Sequence, residues 1–94
     1  MIRSVRLSGS ARRDIDRLVD FLATKSERAA LRAASAIADA VLSLADFSER
    51  GRPARAPGWR ELIVRFGRDG YVIRYRVEGE SIFVSRIFHG RQDR

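Results

Sequence analysis

Cysteine is missing from this chain of 94 residues, histidine, lysine and tryptophan occur once each, and proline only twice. Without cysteine there can be no disulfide and no thiolate metal site. The one histidine, His89, cannot form a histidine cluster, and neither a metal nor a cofactor is expected. No apolar run approaches the ~20 residues that cross a membrane as a helix. The opening Met1-Ile2-Arg3-Ser4-Val5-Arg6 does not resemble a signal peptide, so a reducing cytoplasm is the expected setting. A second composition regime is also lacking, which leaves room for one domain over residues 1–94 with one core. With 45% hydrophobic residues that core should form, because disordered chains combine low hydrophobicity with high net charge.

Negative charge is scarce and unevenly placed. Twelve acids stand against 19 bases, giving +7, and 18 of the bases are arginine. Residues 1–49 hold 8 basic and 7 acidic groups, net +1, whereas residues 50–94 hold 11 and 5, net +6. A genome rich in arginine codons accounts for arginine over lysine but not for this placement. The basic half suits a phosphate backbone or an acidic protein partner.

That half reads as a three-stranded meander. Arg60 to Phe66, Tyr71 to Val77 and Ser81 to Phe88 are rich in aromatic and β-branched residues. Gly67-Arg68-Asp69-Gly70 and Glu78-Gly79-Glu80 supply the turns. In the middle strand Tyr71, Ile73, Tyr75 and Val77 share one face, and Val72, Arg74 and Arg76 the other. Strict alternation in the last strand puts Ile82, Val84, Arg86 and Phe88 together, so Arg86 interrupts an apolar row as a rim or site residue.

Upstream, Ile2 to Leu7 alternates as a short strand that should join the sheet. Ser8 or Ser10 can cap a helix whose Ala11, Ile15, Leu18, Val19 and Leu22 share a face, with Arg12, Arg13, Asp16, Arg17 and Asp20 solvated opposite. Ser26 begins a second helix, running to about Phe47 with an apolar stripe from Ala30 to Leu44. The short connection implies an antiparallel hairpin covering the sheet's core face. Residues 48–59 form a basic loop with both prolines, to which Trp59 contributes either packing or an aromatic anchor. The expected class is α+β, in the order β-α-α-β-β-β, with the hairpin on a small, mainly antiparallel sheet.

This order, with Gly51-Arg52-Pro53, Pro57-Gly58-Trp59-Arg60-Glu61-Leu62, Tyr71 to Val77 and Arg86-Ile87-Phe88-His89-Gly90-Arg91, resembles the RelE/ParE superfamily of bacterial type II toxins. The resemblance implies a small cytoplasmic toxin neutralised by a cognate antitoxin. A partner helix would lie on the hairpin, against Ala30, Ala34, Ile37 and Val41, and a partner strand would add to a sheet edge.

RelE-like members cut messenger RNA on the ribosome, which needs a base, an acid and cations. Arg60, Arg74, Arg76 and Arg86 could hold the phosphate here, and His89 could move the proton. The tyrosine, or His-Tyr pair, that many such nucleases carry at the end of the last strand has no counterpart, because Gly90 follows His89. ParE-like members poison DNA gyrase without cutting RNA, and the Gly-Arg-Pro loop, Arg-Glu-Leu strand start and His-Gly-Arg end are closer to them. The ParE reading is favoured. It implies no catalytic residue and a target-binding face of Arg52, Arg55, Trp59, Arg60, Arg74 and Arg76, with Arg86, His89 and Arg91 beyond. A degenerate member that only binds its antitoxin and represses transcription is a third reading, against which nothing in the sheet or loop looks eroded.

Overall fold

Seven elements follow one another in the computed structural model, which describes residues 2–92 and 94. They are β1 (Ser4–Leu7), α1 (Gly9–Ala23), α2 (Glu27–Ser43), β2 (Arg52–Pro53), β3 (Arg60–Val64), β4 (Tyr71–Glu78) and β5 (Ser81–His89). Both helices begin at a serine whose hydroxyl accepts a backbone N–H of the first turn, Ser8 from Ala11 at 2.9 Å and Ser26 from Ala29 at 3.1 Å. Glu27 adds an acid to the positive end of α2. That helix stops at Ser43, short of the expected Phe47, and the Leu44 and Ala45 N–H groups bond only three residues back.

The sheet order is β1-β5-β4-β3-β2, with β1 parallel to β5 and every other pair antiparallel. The extra strand β2 lies inside the segment read as loop, with Arg52 opposite Glu61 and Pro53 opposite Arg60. Proline cannot donate to a ladder, so a short edge strand is where it fits. No helix of the described residues is long and apolar enough to cross a membrane.

Both helices pack on one sheet face, where Ile37 and Leu44 meet Ile73, Tyr75, Ile82, Val84 and Ile87, all almost completely buried. Alternation in β4 is as expected, with Tyr71, Ile73 and Tyr75 inward. In β5 it is not. Tyr75 pairs with Val84 but Arg74 pairs with Arg86, which leaves Ser85 as an extra residue in a β-bulge. The row expected to contain Ile82, Val84, Arg86 and Phe88 is therefore broken at Ser85. Ile87 turns into the core, and Arg86 and Phe88 join Phe83 on the outer face. Ser8 holds the bulge, its hydroxyl donating to the Ser85 carbonyl at 2.7 Å while its N–H bonds the Val84 carbonyl at 2.9 Å. One residue thus starts α1 and fixes the parity of β5.

The core also accounts for two glycines. The Tyr75 hydroxyl donates to the Ser48 carbonyl and accepts the Gly51 N–H, both at 2.8 Å, and a Cβ on Gly51 would lie 2.7 Å from the Tyr75 ring. Gly90 donates to the Gly70 carbonyl at 2.8 Å, and a side chain there would collide with the Asp69 carbonyl oxygen.

Packing changes the reading of the hairpin. Ala30, Ile37 and Val41 are buried inside the chain and Ala34 is half-buried, so the stripe expected to receive a partner is largely consumed by the fold's own core. The surface left open on α2 is Leu31, Ser35, Ala38 and Leu42, spaced i, i+4, i+7 and i+11, with Leu31 72% and Leu42 64% exposed.

Candidate functional site

The sheet face away from the helices carries arginines and aromatic rings in adjacent rows. In the first row Arg6 of β1 stands opposite Phe83 of β5, which stands opposite Arg76 of β4. The Arg76 guanidinium lies 4.7 Å from the Trp59 ring centre and 5.8 Å from that of Phe83, and Arg6 lies 5.2 Å from Phe83 on its other flank. Glu78 pairs with both arginines. A guanidinium stacked on a ring loses rotamer freedom, so this row is a stiff cationic strip.

The second row runs Arg86, Arg74, Glu61 and Arg52 across β5, β4, β3 and β2. Phe88 sits beneath it, 4.8 Å from the Arg74 guanidinium and 5.0 Å from that of Arg86. Glu61 is buried at the row's centre, accepting from Arg74 at 3.2 Å and Arg94 at 3.3 Å. Burial alone would push its carboxyl up, but the hydrogen bonds and charges of Arg94 and Arg74 outweigh that and hold it below the usual carboxylate range. Around Glu61 opens a cleft of ≈660 Å³ walled by Arg52, Arg55, Arg74, Gln92 and Arg94.

Arg86 is anchored from the opposite side of the sheet. Its Nε and Nη2 donate to Asp14 of α1 at 2.8 and 3.1 Å, and the same carboxylate accepts the Ile87 N–H at 2.8 Å. Beyond Val84 the β5 edge has no β1 residue beside it, and Asp14 takes that place. Burial would raise the Asp14 carboxyl, but the donors from Arg86 and Ile87, the Arg86 charge and the Arg17 contact lower it. In return Asp14 raises the Arg86 guanidinium further.

The structure therefore divides the residues read from the sequence. Arg74, Arg76, Arg86 and Arg52 share the outer face with Trp59, and Arg55 joins them at the cleft. Arg60 does not: its register partner is the inward Tyr75, and its Nη1 donates to the Gly51 carbonyl at 2.6 Å, fastening the loop. His89 is opposite Tyr71, also an inward residue, with its ring edge-on to the tyrosine at 6.0 Å and its Nδ1 accepting the Arg91 N–H at 3.2 Å. Arg91 lies at the same end, 3.9 Å from Asp69. The partners of Arg60 and His89 are four residues apart on β4, about 13 Å along a strand. Among Arg60, Arg74, Arg86 and His89, then, only Arg74 and Arg86 come together.

Glu61, Phe83, Phe88, Arg6 and Arg94 belong to this surface and Asp14 anchors it from α1, and none of them is a site residue in the sequence reading. Asp14 carried a usable signal, since it falls three residues after Ala11 and four before Leu18, on the buried side of α1. What the face offers chemically is fixed positive charge beside flat rings. The two tyrosines are inward, and burial pushes both hydroxyls up, so neither adds a proton carrier to it.

The family model described as the ParE toxin of the type II toxin–antitoxin system parDE matches residues 5–94. Two toxins of Caulobacter vibrioides are similar over their whole lengths: Toxin RelE1, 40% identical over 94 residues with both chains fully covered, and Toxin RelE3, 38% identical over 93 residues, covering 99% of this chain and 100% of that one. Among solved structures, the chromosomal ParDE toxin–antitoxin system of P. aeruginosa superimposes with a TM-score of 0.80 at 26% identity, covering 94% of this chain and 96% of the other. A chain of the RelBE2 toxin–antitoxin complex from Mycobacterium tuberculosis gives 0.68 at 22% identity, covering 95% and 99%, and shares the fold.

Proposed function

The chain belongs to the ParE toxin family of type II toxin–antitoxin systems, and from that premise we propose that it arrests growth by binding DNA gyrase, cuts no RNA itself, and is silenced by a cognate antitoxin. The observation that carries this reading is the separation of charge from proton chemistry. The outer face gathers Arg52, Arg74, Arg76 and Arg86 around Trp59, while His89 lies with the inward residues beside Tyr71. A ribonuclease needs its cations and its acid and base around one phosphate. A poison needs only a surface that fits its target, and stacked arginines beside a tryptophan are residues that dominate protein interfaces.

The antitoxin reading draws on the exposed Leu31–Leu42 stripe, which suits the apolar face of a partner helix. The cationic sheet would meet the acids of the same partner. Substituting His89→Gln tests the target. It keeps size and hydrogen bonding but removes the titratable proton, so growth inhibition should persist, and purified gyrase should accumulate cleaved linear DNA in the presence of the toxin. A loss of roughly 10²–10⁴ in rate, the usual contribution of a positioned acid or base, together with cuts in ribosome-bound message, would make the protein a ribosome-dependent nuclease instead.

A further inference from the structure

The stripe left open on α2 reads the same in both directions. Leucine, serine, alanine and leucine stand at 31, 35, 38 and 42, so turning the helix end over end about a point between Ala36 and Ile37 brings Leu31 to the place of Leu42 and Ser35 to that of Ala38. Two charges share that symmetry. Arg32 and Asp39 are exposed, border the same cleft beside Phe66 and Gly67, and lie almost equally far from the midpoint of the stripe. Neither makes an ion pair among the described residues, although Arg50 and Arg65 line the next cleft with Asp39. Two helical turns, ~10 Å along the axis, separate them, beyond the three- and four-residue spacings at which side chains of one helix meet. A helix from an unrelated partner would need the leucines, but neither the palindrome nor a base and an acid placed about its centre.

We propose that α2 pairs with α2 of a second copy of this chain, antiparallel about a two-fold axis at its midpoint. In such an isologous contact every pair of residues meets twice. Leu31 packs against Leu42 of the second copy, the small Ser35 and Ala38 let the two backbones approach, and Arg32 reaches Asp39 of the second copy at each end of the contact. The charge distribution favours this side of the molecule for self-association. α2 carries two bases and two acids, net zero, and the arginine face lies across the sheet, so it points outward from both copies. One pair of 17-residue helices buries less than the ~1,200 Å² of a standard interface, which makes the dimer weak and reversible. The proposal rests on the pattern of α2 and not on the antitoxin reading, although the two occupants exclude each other on this stripe.

Sedimentation velocity on the full chain, purified free of antitoxin, reads the association directly. The mass should move from the 10.7 kDa of one chain toward twice that value, and no further, as concentration rises from about 1 to 100 μM, the range of a weak interface. Arg32→Asp alone and Asp39→Arg alone each turn both attractive pairs into repulsive ones and should weaken the dimer roughly tenfold or more. Both substitutions in one chain restore opposite charges across the axis, so the dimer should recover to within about threefold of wild type. No contact inside one chain accounts for that recovery. Both positions are exposed, and circular dichroism confirms that each variant is folded. A chain that stays monomeric through ~100 μM overturns the proposal and leaves the stripe to the antitoxin alone. It is equally overturned by association that continues past two copies, by single reversals without effect, or by a double reversal that does not recover.

Discussion

Replacing Asp14 with asparagine changes no shape and removes one buried charge, which makes it the sharpest probe of what holds α1 to the sheet. The carboxylate is 4% exposed and takes four donors: Arg86 Nε and Nη2, the Ile87 N–H, and Arg17 at 2.9 Å. An asparagine oxygen can serve the backbone N–H or Arg86 but not both fully, and its NH₂ group would face donors. Breaking a fully buried pair costs about 3–5 kcal/mol. Here Arg86 is 40% exposed and Arg17 65%, so each can turn partly to water, and their share is discounted. The expected loss is about 2–4 kcal/mol, a large part of the ~5–15 kcal/mol that holds a typical domain together. Urea unfolding of both proteins measures it. The pH dependence supplies a second reading. Because the folded carboxyl lies below its ordinary value, its stabilisation is complete above the unfolded value near 3.9 and is lost as pH falls through the lower folded one. The gap between wild type and Asp14→Asn should be widest near neutrality and shrink below pH ~4. A gap under about 0.5 kcal/mol at pH 7, or one independent of pH, would refute the reasoning.

Three further outcomes follow from named contacts. Tyr75→Phe removes one donor and one acceptor from the loop at Ser48 and Gly51, and should cost about 1–3 kcal/mol in urea unfolding; hydrogen exchange should rise first at the Gly51 amide. Gly90→Ala forces a methyl group toward the Asp69 carbonyl and should destabilise by about 1–3 kcal/mol. At neither Gly67 nor Gly79 would a Cβ meet any atom within 4 Å, so a Gly79→Ala control isolates the cost of its positive φ. Leu31→Asp with Leu42→Asp should leave stability within about 0.5 kcal/mol per site yet weaken antitoxin affinity in titration calorimetry, whereas Ile37→Asp should unfold the chain.

Most of the architecture was readable because it is local. Serine caps, the Gly67–Gly70 and Gly79 turns and the alternation of β4 each depend on residues close in sequence, and each is found where the pattern put it. What escaped depends on distant partners. The Ser85 bulge is met by Ser8, 77 residues away, whose hydroxyl bonds its carbonyl, and a period of two cannot announce an inserted residue. Arg86 looked anomalous for that reason alone. Asp14 was hidden among Arg12, Arg13, Asp16 and Arg17, where charge suggested solvent although its spacing put it on the buried side. The strand β2 is only two residues long and contains a proline, too short for any periodicity to show. For the candidate surface the sequence identified the outward arginines of β4, but the rings they stack on come from β5 and the end of the loop, and that pairing is a matter of register.

The parallel pairing of β1 with β5 has a consequence for the order of events during synthesis. Ser4 to Leu7 leave the ribosome early, but their hydrogen-bonding partners, Ser81 to Val84, come out more than seventy residues later. Asp14 likewise waits for Arg86 and Ile87 before its charge is compensated. Until residue 87 is free, the nascent chain has two helices, β1 and a partial meander but lacks a complete β5, the strand that the sheet order places between β1 and β4. Long-range pairing of this kind is also slow once it becomes possible. The last strand of the sheet to be translated is therefore the one that closes the fold, and a chain interrupted before it cannot present the arginine face, because Phe83, Arg86 and Phe88 arrive with that same strand.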